Sequence, residues 1–348
     1  MRFLLSALLW GFGLSAWAQI GGRQTFSFLN LPANARVAGL GAVNITADHR
    51  DPSMFLANPA LSADSAHALV TLQLFSLRPG VTNTTVTGII SRGRQGRLGV
   101  GLQYLGYGPF DGFDATGSPT GTFTAADYAL TLNYSHTIAP FTLGANLKLA
   151  GSTIGPYSAT AVLVDLGGVF IHPTKDFRFG LTLKNIGTAF SNYTSNADFV
   201  MPFDVQLGTS FKPEKMPFRF SFTAHQLFPP GNIAYNDPTQ NFIIDGNGNR
   251  SLRDVTLADK ITRRVVLGGE LLVHRNVNFR VGYNFLQRRE MSIEQRRALT
   301  GFSLGFLIRV KGFELAYAYN VRHIAGGLSC FSLGLDTARL IKRKKTVK

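Results

Sequence analysis

The residues that most often do chemistry are sparse here and badly spaced for it. Of seven histidines, His67, His136, His172, His225, His274 and His323 stand far apart, and none falls in a His-x-x-x-His or Cys/His pattern that would gather a metal. The single cysteine, Cys330, lies in an apolar run, reads as a packed small side chain, and excludes a disulfide framework. Asp245-Gly-Asn-Gly-Asn-Arg250 has the texture of a calcium loop, but Thr256 stands where the twelfth-position glutamate belongs, so a polar turn is the reading. The glycine-rich GLGAVNIT has no strand before it and helix after it to form a phosphate cradle. The chain is therefore expected to be non-enzymatic and to carry neither cofactor nor metal. What remains is charge: Arg288, Arg289, Arg296 and Arg297 in RREMSIEQRR, and Lys342, Arg343, Lys344 and Lys345 in the terminal ARLIKRKKTVK. Such clusters are solvated or contact anions.

Which anions depends on where the chain resides. MRFLLSALLWGFGLSAWAQ has one positive charge, Arg2, an apolar run from Phe3 to Trp17 and a small-x-small ending at Ala16, Trp17 and Ala18. These are the marks of a secretory signal with cleavage after Ala18. No later stretch approaches the roughly 20 apolar residues of a spanning helix. Lys and Arg outnumber Asp and Glu by 35 to 20. An exported chain meets anionic lipid or lipopolysaccharide with that excess rather than nucleic acid.

A two-residue period runs through the rest. In DYALTLNYSHTI, Tyr128, Leu130, Leu132, Tyr134 and Ile138 share one face while Asp127, Ala129, Thr131, Asn133 and Ser135 share the other. FTLGANLKLA, DFRFGLTLK, PFRFSFTAH, VNFRVGYNF and FELAYAYNV repeat the arrangement. The alternation predicts strands at about 68–77, 83–92, 97–107, 126–138, 140–153, 160–172, 176–187, 203–213, 217–229, 262–275, 277–288, 298–310, 312–322 and 328–337. Alternation alone fits a soluble sandwich as well as a membrane barrel. Strand length and loop rhythm separate them: about fourteen strands of ten or more residues, joined alternately by short turns and by longer loops such as 108–125 and 230–261, match an outer-membrane barrel. Both termini are then expected in the periplasm. Leu130, Leu132, Leu143, Leu147, Phe179 and Leu181 are expected to face lipid, with Thr131 and Asn146 tolerant of polar change on the lumen side. Tyr104, Tyr107, Phe211, Phe228 and Tyr317 suit interfacial girdles. Lys148, Arg178, Lys184, Asp204, Arg219, Glu270, Arg280, Arg309 and Glu314 fall in the lumen, where they need water or one another.

A barrel of this size has a lumen too wide for its wall side chains to fill. DPSMFLANPALSADS, with Pro52 and Pro59, cannot be a continuous helix or strand, yet it is too apolar for an exposed linker. Folded into the lumen, residues 19–66 would bury Met54, Phe55, Leu56 and Leu61 without regular structure. The expected organisation is a signal at 1–18, an N-terminal plug or hatch at 19–66, a transmembrane antiparallel β-barrel at 67–337 and a basic periplasmic tail at 338–348, an all-β protein.

The same segment carries a resemblance. Asn58, Pro59, Ala60 and Leu61 in FLANPALSA resemble the asparagine-proline-alanine element of FadL-like barrels, outer-membrane transporters of long-chain fatty acids with an N-terminal hatch. The longer block, with Phe28, Leu29, Asn30, Leu31, Pro32, Ala35, Arg36, Gly39 and Gly41, resembles the PorV/PorQ branch of that fold, the PorQ family of the type IX secretion system above all. GVGLQYLGYG and TGTFTAADYALTLNYSH are similar to the same branch, and the likeness runs through essentially the whole mature chain. It departs from many such barrels in ending on a basic tail rather than a terminal aromatic. The resemblance implies a barrel that holds a PorZ-like surface protein near a PorU-like sortase and a PorV-like barrel during attachment of cargo to lipopolysaccharide. The alternative it implies is a FadL-like transporter of hydrophobic small molecules.

Overall fold

The computed structural model describes residues 25–47, 50–78, 80–194, 200–228, 233, 242–244, 250–252, 256–290, 299–323 and 326–337. The strands are β1 (Leu69–Arg78), β2 (Val81–Ser91), β3 (Arg97–Phe113), β4 (Pro119–Ile138), β5 (Phe141–Ile154), β6 (Tyr157–Ile171), β7 (Phe177–Ser191), β8 (Asp204–Phe211), β9 (Phe218–Ala224), β10 (Phe242–Ile244), β11 (Arg250–Leu252), β12 (Val265–His274), β13 (Val277–Asn284), β14 (Phe302–Val310), β15 (Phe313–His323) and β16 (Gly326–Asp336). Fourteen of them close an antiparallel barrel in chain order, β9 pairing with β12 and β16 returning to β1 through Leu69↔Asp336 to Ser76↔Ser329. The remaining two, β10 and β11, pair only with each other inside the long connection between β9 and β12.

The period-2 pattern sets the two faces. On β4, Tyr128, Leu130, Leu132 and Tyr134 are exposed outward and Asp127, Ala129, Thr131, Asn133 and Ser135 are buried inward, and β5 repeats this with Leu143, Leu147 and Leu149 out and Thr142, Asn146 and Lys148 in. Apolar-out and polar-in is the inversion that a lipid solvent demands. Short turns join β2 to β3, β4 to β5, β6 to β7, β8 to β9, β12 to β13 and β14 to β15 at one end of the barrel. The longer connections stand at the other.

Three differences from the sequence reading have physical causes. Gly108 and Pro109 look like strand breakers, but a bulge between Gly106 and Pro109 absorbs them, so β3 runs on to Phe113 and β4 begins at Pro119. Most of the expected 108–125 loop is therefore hairpin. Residues 285–288, expected to extend a strand, belong to a helix, Phe285–Glu290, because the Asn284 side chain accepts from Gln287 N at 3.1 Å and caps it. Tyr107 is half-buried inside and donates to Asp127 Oδ2 at 2.6 Å instead of joining a girdle. Tyr104, Phe211 and Phe228 are exposed as expected. The described ends lie at opposite mouths: Thr337 N bonds Ala68 O at the short-turn end, whereas Thr25 N bonds Val200 O at the long-loop end.

Lipid-facing Leu147→Arg, 46% exposed in mid-strand, is expected to lower barrel stability by about 2–4 kcal/mol, while Thr131→Ser on the lumen face leaves it nearly unchanged. Urea titration of the refolded protein, read by heat-modifiable migration, measures both.

Candidate functional site in the barrel lumen

Residues 25–47 and 50–66 pack against the inward face of the barrel wall and are built from short capped turns, while residues 19–24, 48 and 49 of the expected plug lie outside the described residues. Asn34 Oδ1 accepts from Val37 N at 2.8 Å and caps helix α1 (Ala35–Gly39). Asp51 Oδ1 accepts from Ser53 N at 2.9 Å and caps the turn Pro52–Leu56. Asn58 Oδ1 accepts from Ala60 N at 3.0 Å and caps the turn Pro59–Leu61, with Pro59 in the first position, where a missing N–H costs nothing. The asparagine-proline-alanine element is thus a compact cap. The Asn58 amide also donates to Ile45 O at 3.2 Å, tying two passes of the segment together.

The wall is shaped to receive it. Gly144 on β5 and Gly167 on β6 are register partners, and a Cβ on either would overlap the Pro59 carbonyl or the Asn58 side chain. Gly99 on β3 leaves room for the Phe55 ring, whose Cε1 would be 2.9 Å from any Cβ there. Across the lumen, Gly39 meets Gly305 of β14 backbone to backbone, and a Cβ on Gly282 of β13 would strike the backbone at Gly41, itself at φ 95°. Phe55, Met54 and Leu61 are essentially without solvent exposure, each burial stabilising by roughly 1.5–3 kcal/mol. Nearer the long-loop end, Phe28 and Leu29 pack with Leu105, Ala150 and Leu163.

Side chains from many strands satisfy the irregular backbone. Asn133 Nδ2 donates to Pro59 O at 3.1 Å, Asn146 Nδ2 to Phe55 O at 2.9 Å and Asn284 Nδ2 to Gly41 O at 3.0 Å; Ser332 Oγ accepts from Ala35 N at 3.2 Å. Asn146 also donates to Asp165 at 2.9 Å, so the tolerance expected of it does not hold. Asp165 is fully buried, 2.7 Å from Lys148 Nζ, and accepts from Asn185 N at 2.8 Å where β6 and β7 shift register. On the opposite wall Glu270 takes Arg280 at 2.9 Å and Arg219 at 3.2 Å, Arg219 reaching on to Asp176 at 2.9 Å, and Arg36 of α1 acts electrostatically on the same carboxylate. Arg309 pairs with Glu314. Of the lumen charges expected from sequence, Arg219, Glu270, Arg280, Arg309 and Glu314 meet one another, Lys148 meets Asp165, and Arg178 donates to Ala47 O at 3.5 Å.

A cavity of 160 Å³ remains between Leu31, Pro32 and Asn44 and the wall, lined by Lys184, Asp204, His225, Gln226, Gln287 and Glu290. His225 Nε2, Gln226 Oε1 and Gln287 Oε1 are buried without hydrogen-bond partners among the described residues. Burial, with Arg264 beside it, pushes the His225 imidazole down to about 4, so it is neutral at pH 7. A second concavity, of 370 Å³ at the short-turn end, is lined by Arg50, Arg275, Arg309 and Lys311 with Glu314 and Asp336. Sequence reading missed its clustering, since three separate turns assemble it.

Of the other residues expected to matter, Ala35, Arg36 and Pro32 are buried, and Asn30 Oδ1 accepts from Asn185 Nδ2 at 3.3 Å. Arg288 Nη1 donates to Thr300 Oγ1 at 3.3 Å and Arg289 sits on the surface 3.3 Å from Asp259. The signal, Arg296, Arg297, Asp245 to Asn249 and the tail with Lys342, Arg343, Lys344 and Lys345 lie outside the described residues. No cluster of metal-ligating side chains occurs among the described residues. Gly301-Phe302-Ser303-Leu304-Gly305 has nucleophile-elbow spacing, which corrects the expectation that no Gly-x-Ser-x-Gly motif appears in the chain. Its Ser303 opens a strand rather than a strand-to-helix turn and accepts from Asn320 Nδ2 at 2.6 Å, which gives it a structural role.

The closed fourteen-strand barrel is similar in fold to solved toluene transporters. The toluene transporter TodX of Pseudomonas putida matches with a TM-score of 0.53 at 11% identity, over 89% of this chain and 98% of that one. The toluene transporter TbuX of Ralstonia pickettii matches with 0.52 at 12%, over 89% and 98%. A FadL homologue of Pseudomonas aeruginosa aligns over 87% and 98% at 12% identity, with a TM-score of 0.48. No protein-family model and no curated protein matches the sequence.

Two outcomes follow from the site. Gly167→Val, forced against Asn58 and Pro59, is expected to displace the segment and raise single-channel conductance in planar bilayers, whereas Gly88→Val, whose Cβ would meet nothing nearer than 3.8 Å, leaves conductance unchanged. Lys148→Met strands Asp165 in the interior and is expected to destabilise the barrel by about 3–5 kcal/mol in urea titration.

Proposed function

We propose that this chain is a non-enzymatic outer-membrane barrel whose lumen residues 19–66 plug and whose outer face anchors a surface partner. The arrangement would follow the PorV/PorQ branch of the type IX secretion system: a PorZ-like protein held near a PorU-like sortase and a PorV-like barrel, assisting attachment of cargo to lipopolysaccharide. The observation that carries this reading is the polar fastening of the lumen. Sites for hydrophobic solutes are mostly apolar and span roughly 300–1,000 Å³. Among the described residues the cavity beside the segment is 160 Å³, with Lys184, Asp204, His225 and Glu290 sharing its lining with Leu31, Val37 and Leu286, and the 370 Å³ concavity at the short-turn end is lined by Arg50, Arg275, Arg309, Lys311 and Glu314. Phe55 and the asparagine-proline-alanine cap are locked into the wall by Asn133 and Asn146, an arrangement suited to a fixed stopper.

A second reading, a transporter of hydrophobic small molecules, draws support from the likeness in fold to the two toluene transporters. At those identities the likeness speaks for the fold. Deleting the gene in the producing cell separates the two: anchoring predicts a surface protein shed into the medium with uptake of radiolabelled oleate and toluene unchanged. Retention of all surface proteins with loss of uptake would favour the transporter.

A further inference from the structure

β3 and β4 outlast their neighbours. Pairing of β2 with β3 ends at Thr82↔Gly106, and pairing of β5 with β4 ends at Ile154↔Ala125. Beyond those points Pro109↔Thr124, Phe110↔Phe123, Asp111↔Thr122, Gly112↔Gly121 and Phe113↔Pro119 pair with each other, the backbone bond reaching them from outside the ribbon being Gly155 N to Thr124 O at 3.0 Å. At about 3.3 Å per residue the two-stranded ribbon stands roughly 20 Å clear of the paired wall at the long-loop end. Each strand of such a ribbon turns half of its backbone N–H and C=O groups away from its partner, so the β3 edge, and the β4 edge from Phe123 back to Pro119, are open to another strand.

The ribbon is apolar in an exposed place. Phe110 and Phe123 stack at 5.4 Å, Phe123 is 39% exposed and Phe113 64% exposed. Proteins usually guard such edges with lysine. Here no Lys or Arg occurs between Arg97 and Lys148, in a chain whose formal charge is +15. The exposed acids are Asp111 and Asp114. Asp114 is engaged by its own turn, accepting from Thr116 N and Ser118 N at 2.9 Å each, which leaves Asp111, on β3 opposite Thr122, as the exposed carboxylate that sets the sign of charge one strand in from the β4 edge. Pro109 removes a donor from the β3 edge, so the β4 edge is the more complete template. A second copy would bring two cation-free acidic ribbons together, an unfavourable match.

We propose that the ribbon of residues 107–124 is a strand-addition site, taking an extended basic segment of the surface partner along the open edge of β4. The proposal rests on the anchoring reading for the partner's biological identity, but its chemistry is testable without it. Backbone pairing would supply affinity, the phenylalanine face apolar contact, and Asp111 the charge preference.

The probe is a fluorescein-labelled octapeptide of alternating lysine and valine, offered to the full-length protein in nanodiscs, beside a counterpart with glutamate for lysine. Binding of the basic peptide is expected to saturate, to fall about tenfold or more when an Asn-Gly turn replaces residues 108–125 in a barrel that still shows heat-modifiable migration, and to weaken severalfold in Asp111→Lys. Because the whole protein is basic, nonspecific attraction would favour the glutamate peptide; equal or tighter binding of that peptide, or undiminished binding of the lysine peptide to the trimmed barrel, overturns the proposal. In cells, trimming the ribbon is expected to shed the same surface protein as gene deletion. If deletion sheds a protein and trimming does not, the strand-addition site is wrong and anchoring stands. If deletion sheds nothing, anchoring falls and the peptide comparison decides the ribbon on its own.

Discussion

An irregular backbone can be enclosed only if each buried N–H and C=O finds a partner, and the rest of this structure follows from meeting that demand inside a barrel. Residues 25–66 do so partly by themselves, through the caps at Asn34, Asp51 and Asn58. The wall supplies the remainder through Asn133, Asn146, Asn284 and Ser332. Glycines at 144, 167, 282 and 305 let the segment come close enough for those bonds to form. The polar face that alternation places inward is therefore met by a specific partner, residues 25–47 and 50–66 of the same chain.

Charge obeys the same logic. Lys148 with Asp165, and Glu270 with Arg219 and Arg280, stand where the dielectric is low and where any unpaired member would be costly. Their pairing links neighbouring strands and fixes the side chains that in turn hold the segment: Asn146 touches both Asp165 and the Phe55 carbonyl. Closure of the lumen and integrity of the wall are one network.

The barrel was legible in the sequence because its signal is local: Tyr128, Leu130, Leu132 and Tyr134 declare an outer face within a few residues of one another. All fourteen wall strands fall where the alternation places them, with boundaries off where a local rule lost to a neighbour. Gly108 and Pro109 were absorbed by a bulge, and Asn284 turned a strand into a helix. The lining charges were legible for the same reason, but their partners were not, since Asp165 with Lys148 and Arg219 with Glu270 depend on register. The asparagine-proline-alanine element could be recognised, yet its seat on Gly144 and Gly167 joins positions more than eighty residues apart and has no local trace. The basic concavity of Arg50, Arg275 and Lys311 escaped for the same reason.

Amide hydrogen exchange on the intact protein in nanodiscs tests the central claim, that the N-terminal segment is fastened into the lumen. The amides of Val37, Ser53 and Ala60, bonded within capped turns, should exchange as slowly as those of Leu132 and Leu147 in the wall, and should lose protection together in Asn146→Ala. Exchange of these amides at loop rates while the wall stays protected would mean that the segment moves freely, and would contradict the account.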